Sequence, residues 1–170
     1  MIRLKQLLVE VKGYKVYCDM DGVLCDFEKQ YKAVTGMTAK KANETLSAKE
    51  FWAPINGAGA SFWSTMDWMK DGEKLWKGIE KYNPSILSCP SSDYSSRVGK
   101  LKWLNKNIPG LSDNQVHFAC NKQKYASPNS ILIDDFPEKI NAWVGAGGIG
   151  ILHKSTSETL KELKKILGDD

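Results

Sequence analysis

Short apolar runs recur along the chain, and most of them stop abruptly at polar residues. A β-prone run over 14–18 ends at Asp19 and Asp21. A second, over 85–87, stops at Ser-Cys-Pro-Ser-Ser-Asp, and a third covers 116–119. A fourth, over 131–133, again meets two aspartates, and a fifth covers 149–152 after Gly147-Gly148. Each run is short and bounded by turn residues, which predicts a strand. Between them the period changes. Val98, Leu101 and Leu104 recur at helical spacing within a helix predicted over 94–107 and closed by Pro109-Gly110. Ser155-x-x-Glu158 resembles a capping box opening a last helix whose Leu160, Leu163 and Leu167 would pack on the sheet.

Strands alternating with helices predict an α/β domain with a parallel sheet. In such sheets ligands bind outside the carboxyl ends of the strands, so the polar strand ends are expected to converge on one site. The segment 27–82 departs from the alternation: it is helical, polar and rich in aromatics, and Gly57-Ala-Gly59-Ala breaks it midway. It is expected to form a small helical cap inserted after the first strand, with 1–26 and 83–170 as a Rossmann-like core. A chain of 170 residues suits one such core plus a lid.

Composition narrows the class only slightly. With 42% hydrophobic and 26% charged residues the chain has the apolar content of a folded domain. No apolar run approaches the ~18 residues of a membrane span. The opening MIRLKQLLVEVKGYK lacks a signal-peptide core, so a cytoplasmic home with no membrane partner is expected. Cys18, Cys25, Cys89 and Cys120 are scattered without a CxxC pair and are read as reduced thiols. The net charge of +4 is spread along the chain, as on a solvated basic surface, and would help attract an anionic substrate. No stable nucleic-acid complex is expected, and a homodimer is left open.

The chemistry lies at the strand ends. Asp19-Met-Asp21-Gly-Val places two carboxylates at i and i+2 across a turn, suited to a nucleophile and a proton carrier. The bland reading is an Asp-Gly turn after a strand. Asp134-Asp135 shifts the balance, because a sheet that unites both pairs crowds up to four carboxylates together. Two unit charges ~4 Å apart repel by roughly 4 kcal/mol at an effective dielectric of 20. Such a cluster calls for a hard cation, and Mg2+ fits all-oxygen ligands. Alternatively, Asp134 and Asp135 would merely cap a helix over 137–143. Ser88 can donate to a phosphate oxygen, with backbone N–H groups of its loop beside it. Lys124, ten residues before Asp134, can neutralise charge on a phosphoryl group, although a lysine is more often solvated.

Taken together, Asp19 to Val23, Ser88, Lys124 and Asp134-Asp135 resemble, in order and strand-end position, the four motifs of the haloacid dehalogenase (HAD) superfamily of phosphohydrolases. The resemblance covers 14–153 and implies a HAD-like Rossmannoid three-layer sandwich with a cap after the first motif. It implies Asp19 as nucleophile and metal ligand. Asp21 would be the acid and base and lend its backbone carbonyl to the metal. Asp135 would be a metal ligand and Asp134 a support for the metal, while Ser88 and Lys124 would bind phosphate. Dehalogenase members lack the second acid, so Asp21 argues against C–Cl hydrolysis.

More narrowly, CDMDGVLCDF, LSCPSS, the step from Lys124 to Asp134 and IDDFPEKINAW resemble the 5'(3')-deoxyribonucleotidase group. That implies a nucleoside monophosphate as substrate, with its base against cap aromatics. Phe27, Phe51, Phe62 and Trp63 are the candidates, weighed against a cap's own need for an aromatic core. Other substrates of the same chemistry are nucleic-acid 3'-phosphates and small sugar phosphates. A non-catalytic metal- or phosphate-binding protein is the remaining alternative, disfavoured because it has no need of both Asp19 and Asp21. His117 and His153 are expected to be structural, and no G-x-S-x-G elbow supports a serine hydrolase.

Overall fold

Alternation with a period of two runs through every central strand, and it sorts the apolar residues onto two faces. The computed structural model describes residues 13–169; the opening segment and the expectation attached to it lie outside them. Five strands form one sheet in the order β3-β2-β1-β4-β5. They are β1 (Lys15–Cys18), β2 (Ser85–Ser88), β3 (Val116–Phe118), β4 (Ser130–Asp134) and β5 (Ile149–Leu152), and every pairing is parallel. Val16, Cys18, Ile86, Ile131 and Ile133 point into one hydrophobic cluster, and Tyr17, Leu87 and Leu132 into another. A central strand buried on both faces reads as a continuous apolar run, which is why these segments were legible.

Five helices stand between β1 and β2: α1 (Phe27–Thr35), α2 (Ala39–Thr45), α3 (Ala48–Ala58), α4 (Ala60–Ser64) and α5 (Gly72–Ile79). The break at the Gly57–Gly59 repeat is real: Gly59 has φ +65° and ψ −147°, ending α3 and starting α4. After β2 come α6 (Ser95–Asn107), α7 (Pro137–Gly145) between β4 and β5, and α8 (Thr156–Leu167). Ser155 caps α8 by accepting from the Glu158 N–H at 3.2 Å, and Leu163 and Leu167 are buried as expected. α7 covers the Tyr17 face through Ile140 and Trp143. α5 and α8 meet each other closely at Gly78, where a Cβ would come within 2.8 Å of Leu160.

The buried side of α6 differs from the expected Val98, Leu101 and Leu104 stripe. Leu101 is 43% exposed, whereas Ser96, Gly99, Lys100 and Trp103 are buried together with Leu104. The reason is the neighbour: α6 lies against α4, and a Cβ on Gly99 would sit 2.4 Å from the Ala60 carbonyl oxygen. Only glycine permits that approach. It leaves the inward position beside it to a lysine.

Candidate active site

The site is assembled at the carboxyl ends of β1, β2 and β4 and the segment after β3. The Asp19 N–H donates to the Ile133 carbonyl at 3.0 Å, carrying the β1–β4 pairing one residue beyond the end of β1. The chain then turns sharply around Met20, whose carbonyl accepts from Val23, Leu24 and Cys25. Gly22 makes this turn at φ +79°. A Cβ there would lie 2.1 Å from an Asp135 carboxylate oxygen, so the glycine is required both by conformation and by the closeness of Asp135.

Lys122 sits at the centre, and the sequence reading missed it. Its Nζ lies 2.8 Å from Asp19 Oδ1 and 2.6 Å from Asp134 Oδ2. Asp134 also accepts from the Phe136 N–H at 2.9 Å. Burial alone would lower the Lys122 pKa, but Asp19 and Asp134 outweigh it and hold it above its ordinary value. Asp134 is pushed up by burial and by Asp19, against the pull of Lys122. Lys124, which was expected here, is exposed. Residues Lys122–Tyr125 form a 3-10 turn, and with three residues per turn, positions two apart point in different directions. The ten-residue step to Asp134 selected the wrong lysine of Lys-Gln-Lys.

Among the described residues Asp135 has no such lysine partner. Burial, then Asp19 and Asp134, push its pKa up to about 7. Part of its surface faces solvent, which screens the effect, so the direction carries the argument. Asp19, Asp134 and Asp135 each offer an oxygen within 4.8 Å of the others. Three carboxylates with one lysine among them form a donor set suited to a hard divalent cation. Since Lys122 and the Phe136 N–H occupy Asp134, Asp19 and Asp135 are the better placed ligands.

Ser88 ends β2 fully buried, and its Oγ accepts from Lys100 Nζ at 2.8 Å. The same Nζ lies 2.6 Å from Asp21 Oδ2. Burial raises the Asp21 pKa, Lys100 lowers it and Asp19 raises it, with a net upward shift. Neither the burial of this lysine nor its pairing with Ser88 and Asp21 had a readable signal, because Lys100 stands twelve residues beyond Ser88 inside an unremarkable polar helix.

One expectation is overturned outright. Cys89 and Cys120 form a disulfide, with Cα atoms 4.3 Å apart; only Cys18 and Cys25 are free. β2 and β3 are parallel neighbours with Ser88 opposite Phe118, so the residues just past each strand meet although 31 positions separate them. A closed loop of that size is worth roughly 3 to 4 kcal/mol on the chain-entropy account. Thiol titration in denaturant should therefore find two free thiols before reduction and four after it. Four before reduction would exclude the bridge.

The cavity over these residues has a volume of about 490 Å³. Asp19, Asp21, Lys122, Asp134 and Asp135 form its polar floor, while Phe27, Trp52, Trp63, Pro90 and Phe136 are apolar walls. Of the four aromatics expected to face a ligand, Phe27 and Trp63 line it. Phe62 is 1% exposed and packs edge-on against both of them. Phe51 stacks on Tyr31 at 4.7 Å. These two serve the helical core, and Trp52 and Phe136 take their places in the walls. His117 packs with Tyr17 and Tyr125, and His153 pairs with Thr159; neither lines the cavity.

A parallel sheet with acidic strand ends under a helical insertion defines a class of α/β fold. Solved structures place it further. A hydrolase from Streptococcus pneumoniae TIGR4 is 16% identical with a TM-score of 0.53, over 91% of this chain and 98% of that one. A proposed β-phosphoglucomutase from Bacteroides vulgatus is 16% identical with a TM-score of 0.55, over 98% and 96%. A HAD family hydrolase from Deinococcus radiodurans R1, with bound phosphate and sodium, is 13% identical with a TM-score of 0.51, over 91% and 95%. The chain thus has the HAD-like Rossmannoid fold. No family model and no curated protein matches the sequence.

Proposed function

We propose that the chain is a Mg2+-dependent phosphomonoesterase that works through an aspartyl-phosphate on Asp19. The observation that carries this reading is the convergence of Asp19, Asp21, Lys122 and the Asp134-Asp135 pair on one cavity floor, with Ser88 buried behind it and tied to Asp21 through Lys100. In the first step an Asp19 oxygen bonds to phosphorus, the ester P–O bond breaks, and a proton passes from Asp21 to the leaving oxygen. In the second, Asp21 takes a proton from water as its oxygen bonds to phosphorus, and the bond to Asp19 breaks. Ser88 donates to a phosphoryl oxygen, and Lys122 offsets charge on Asp19 and on the phosphoryl group. Asp19, Asp135 and the Asp21 carbonyl would hold Mg2+, which would neutralise charge on the substrate oxygens.

The preferred substrate class is a nucleoside monophosphate. A cavity of about 490 Å³ lies in the usual range of small-ligand sites, and the half-buried Phe27 and Trp52 offer ring surface on which a base can stack for ~1 to 3 kcal/mol. Phosphate release from deoxy- and ribonucleoside monophosphates, sugar phosphates and 3'-phosphorylated oligonucleotides, with Mg2+ or EDTA, tests both levels. Release from nucleotides no better than from simple esters ends the nucleotidase reading, and none from any ester restores the binding-protein alternative.

The metal reading has its own check. Ionised Asp135 has a pKa raised on folding, so the metal-free fold loses stability as pH rises from about 4 to 7. Mg2+ at ~100 times its Kd adds about 2.7 kcal/mol, expected as a rise in Tm of roughly 5 to 10 °C at pH 7.5. The rise should shrink at pH 5, where Asp135 holds its proton. An equal rise at both values would remove Asp135 from the ligand set.

A further inference from the structure

Lys100 is the most deeply buried charge of the site, with 0% exposure, and the four-motif reading gives it no role. It leaves α6 beside the close contact between Gly99 and α4, and its Nζ lies between Ser88 Oγ and Asp21 Oδ2, over the Trp63 ring at 5.0 Å from its centre. An ammonium group can only donate. Both oxygens must therefore accept from it, which fixes the hydrogen-bond direction of two groups at once. Ser88, accepting from Lys100, keeps its own hydrogen to give elsewhere. Asp21, engaged through Oδ2, keeps Oδ1, a buried oxygen with no hydrogen-bond partner among the described residues.

We propose that Lys100 is a positioning residue that reserves Asp21 Oδ1 as the proton-carrying oxygen and turns the Ser88 hydroxyl toward the phosphoryl group. The inference rests on the phosphatase reading above and deepens it. The proton given to the leaving oxygen comes from Oδ1, the P–O bond breaks toward that oxygen, and Asp21 is left as a carboxylate paired with Lys100. Bound to α6 next to the α4 contact, the ammonium also ties the acid to the helical insertion through Trp63. A residue that merely filled space could be replaced by an apolar side chain of the same length without regard to the ester being cleaved.

The discriminating variable is the leaving group. An alkyl alkoxide leaves only with a proton, whereas p-nitrophenolate leaves without one. Loss of the Ser88 orientation affects both esters alike; loss of the Asp21 orientation affects the alkyl ester alone. The parameter to compare is kcat/KM, which reports the first chemical step rather than the later hydrolysis at Asp19. Lys100→Met should lower kcat/KM for an alkyl monophosphate at least about tenfold further than for p-nitrophenyl phosphate, within the range of a displaced general acid. In an Asp21→Asn background the same change should cost the alkyl ester no more than it costs p-nitrophenyl phosphate, since only the Ser88 share is then left to lose.

Equal losses on both esters, or full additivity with Asp21→Asn, would overturn the proposal. Should Lys100→Met fail to fold, Lys100→Arg carries the test. It keeps the buried charge, but its longer planar head cannot hold the same two oxygens, so the alkyl-to-aryl ratio must still fall, and an unchanged ratio is decisive against it. Wild-type protein inactive on both esters would instead overturn the phosphatase reading, and this one with it.

Discussion

Asp19→Asn should reduce Mg2+-dependent phosphate release by at least about 10³-fold, on every ester the wild-type protein cleaves. The amide has the same shape as the carboxylate and can still accept from Lys122, which lies 2.8 Å from Asp19 Oδ1. It has no anionic oxygen with which to attack phosphorus. The fold should survive, because the change also removes one of three clustered negative charges around Asp134 and Asp135, relieving repulsion of a few kcal/mol at close range. Circular dichroism and thermal scans should show a folded protein while phosphate release disappears. Retention of more than about a tenth of the activity would remove Asp19 as nucleophile and leave hydrolysis that does not pass through an aspartyl-phosphate on Asp19.

Lys122→Met should be the most damaging single change to stability at the site, and Lys124→Met should be nearly silent. Lys122 is 3% exposed in its side chain and stands between Asp19, at 11%, and Asp134, at 1%. Removing the cation leaves two buried carboxylates facing each other, and breaking a buried pair in this way costs about 3 to 5 kcal/mol. For a chain of this length that corresponds to a fall in Tm of roughly 10 to 15 °C. Mg2+ should recover part of it by supplying the missing charge. Activity should fall as well, since Asp19 loses the ammonium that donates to it and the cavity floor loses its cation. Lys124 is exposed and its replacement should stay within about 0.5 kcal/mol. If the two variants behaved alike, the placement of Lys122 between the aspartates would be wrong.

The contrast between these two lysines shows how far the chain could be read directly. The sheet was legible because its strands are buried on both sides: Val16, Ile86, Ile131 and Ile133 face one cluster, Tyr17, Leu87 and Leu132 the other, and no polar residue interrupts them. Their polar ends were equally visible. Asp19, Asp21, Ser88 and Asp134-Asp135 each stand at or just beyond the end of an apolar run, and a parallel sheet brings such ends to one side regardless of what lies between. Glu158 and Ser155 announced the last helix through a local capping pattern that needs nothing beyond four residues.

What escaped depended on direction and on distance along the chain. In Lys-Gln-Lys either lysine could serve, and only the 3-10 turn after Asn121 decides that Lys122 points inward. Lys100 looks like one polar residue among many on α6. Its burial follows from the approach of α4 at Gly99 and from the carboxylate of Asp21, 79 positions earlier. Cys89 and Cys120 become partners because β2 and β3 are neighbours in the sheet, a fact of strand order rather than of spacing. Phe51 and Phe62 are aromatic like Trp52 and Trp63, but the packing of α1, α3 and α4 decides which ring fills the core and which faces the cavity. The sequence by itself determined the strands, their acidic ends and the chemistry those ends can support, because burial on two faces and local turns leave a periodic trace. The tertiary structure alone decided which cation, which thiols and which rings join them, because a side chain's partner is set by the geometry of elements that meet only after the chain has folded.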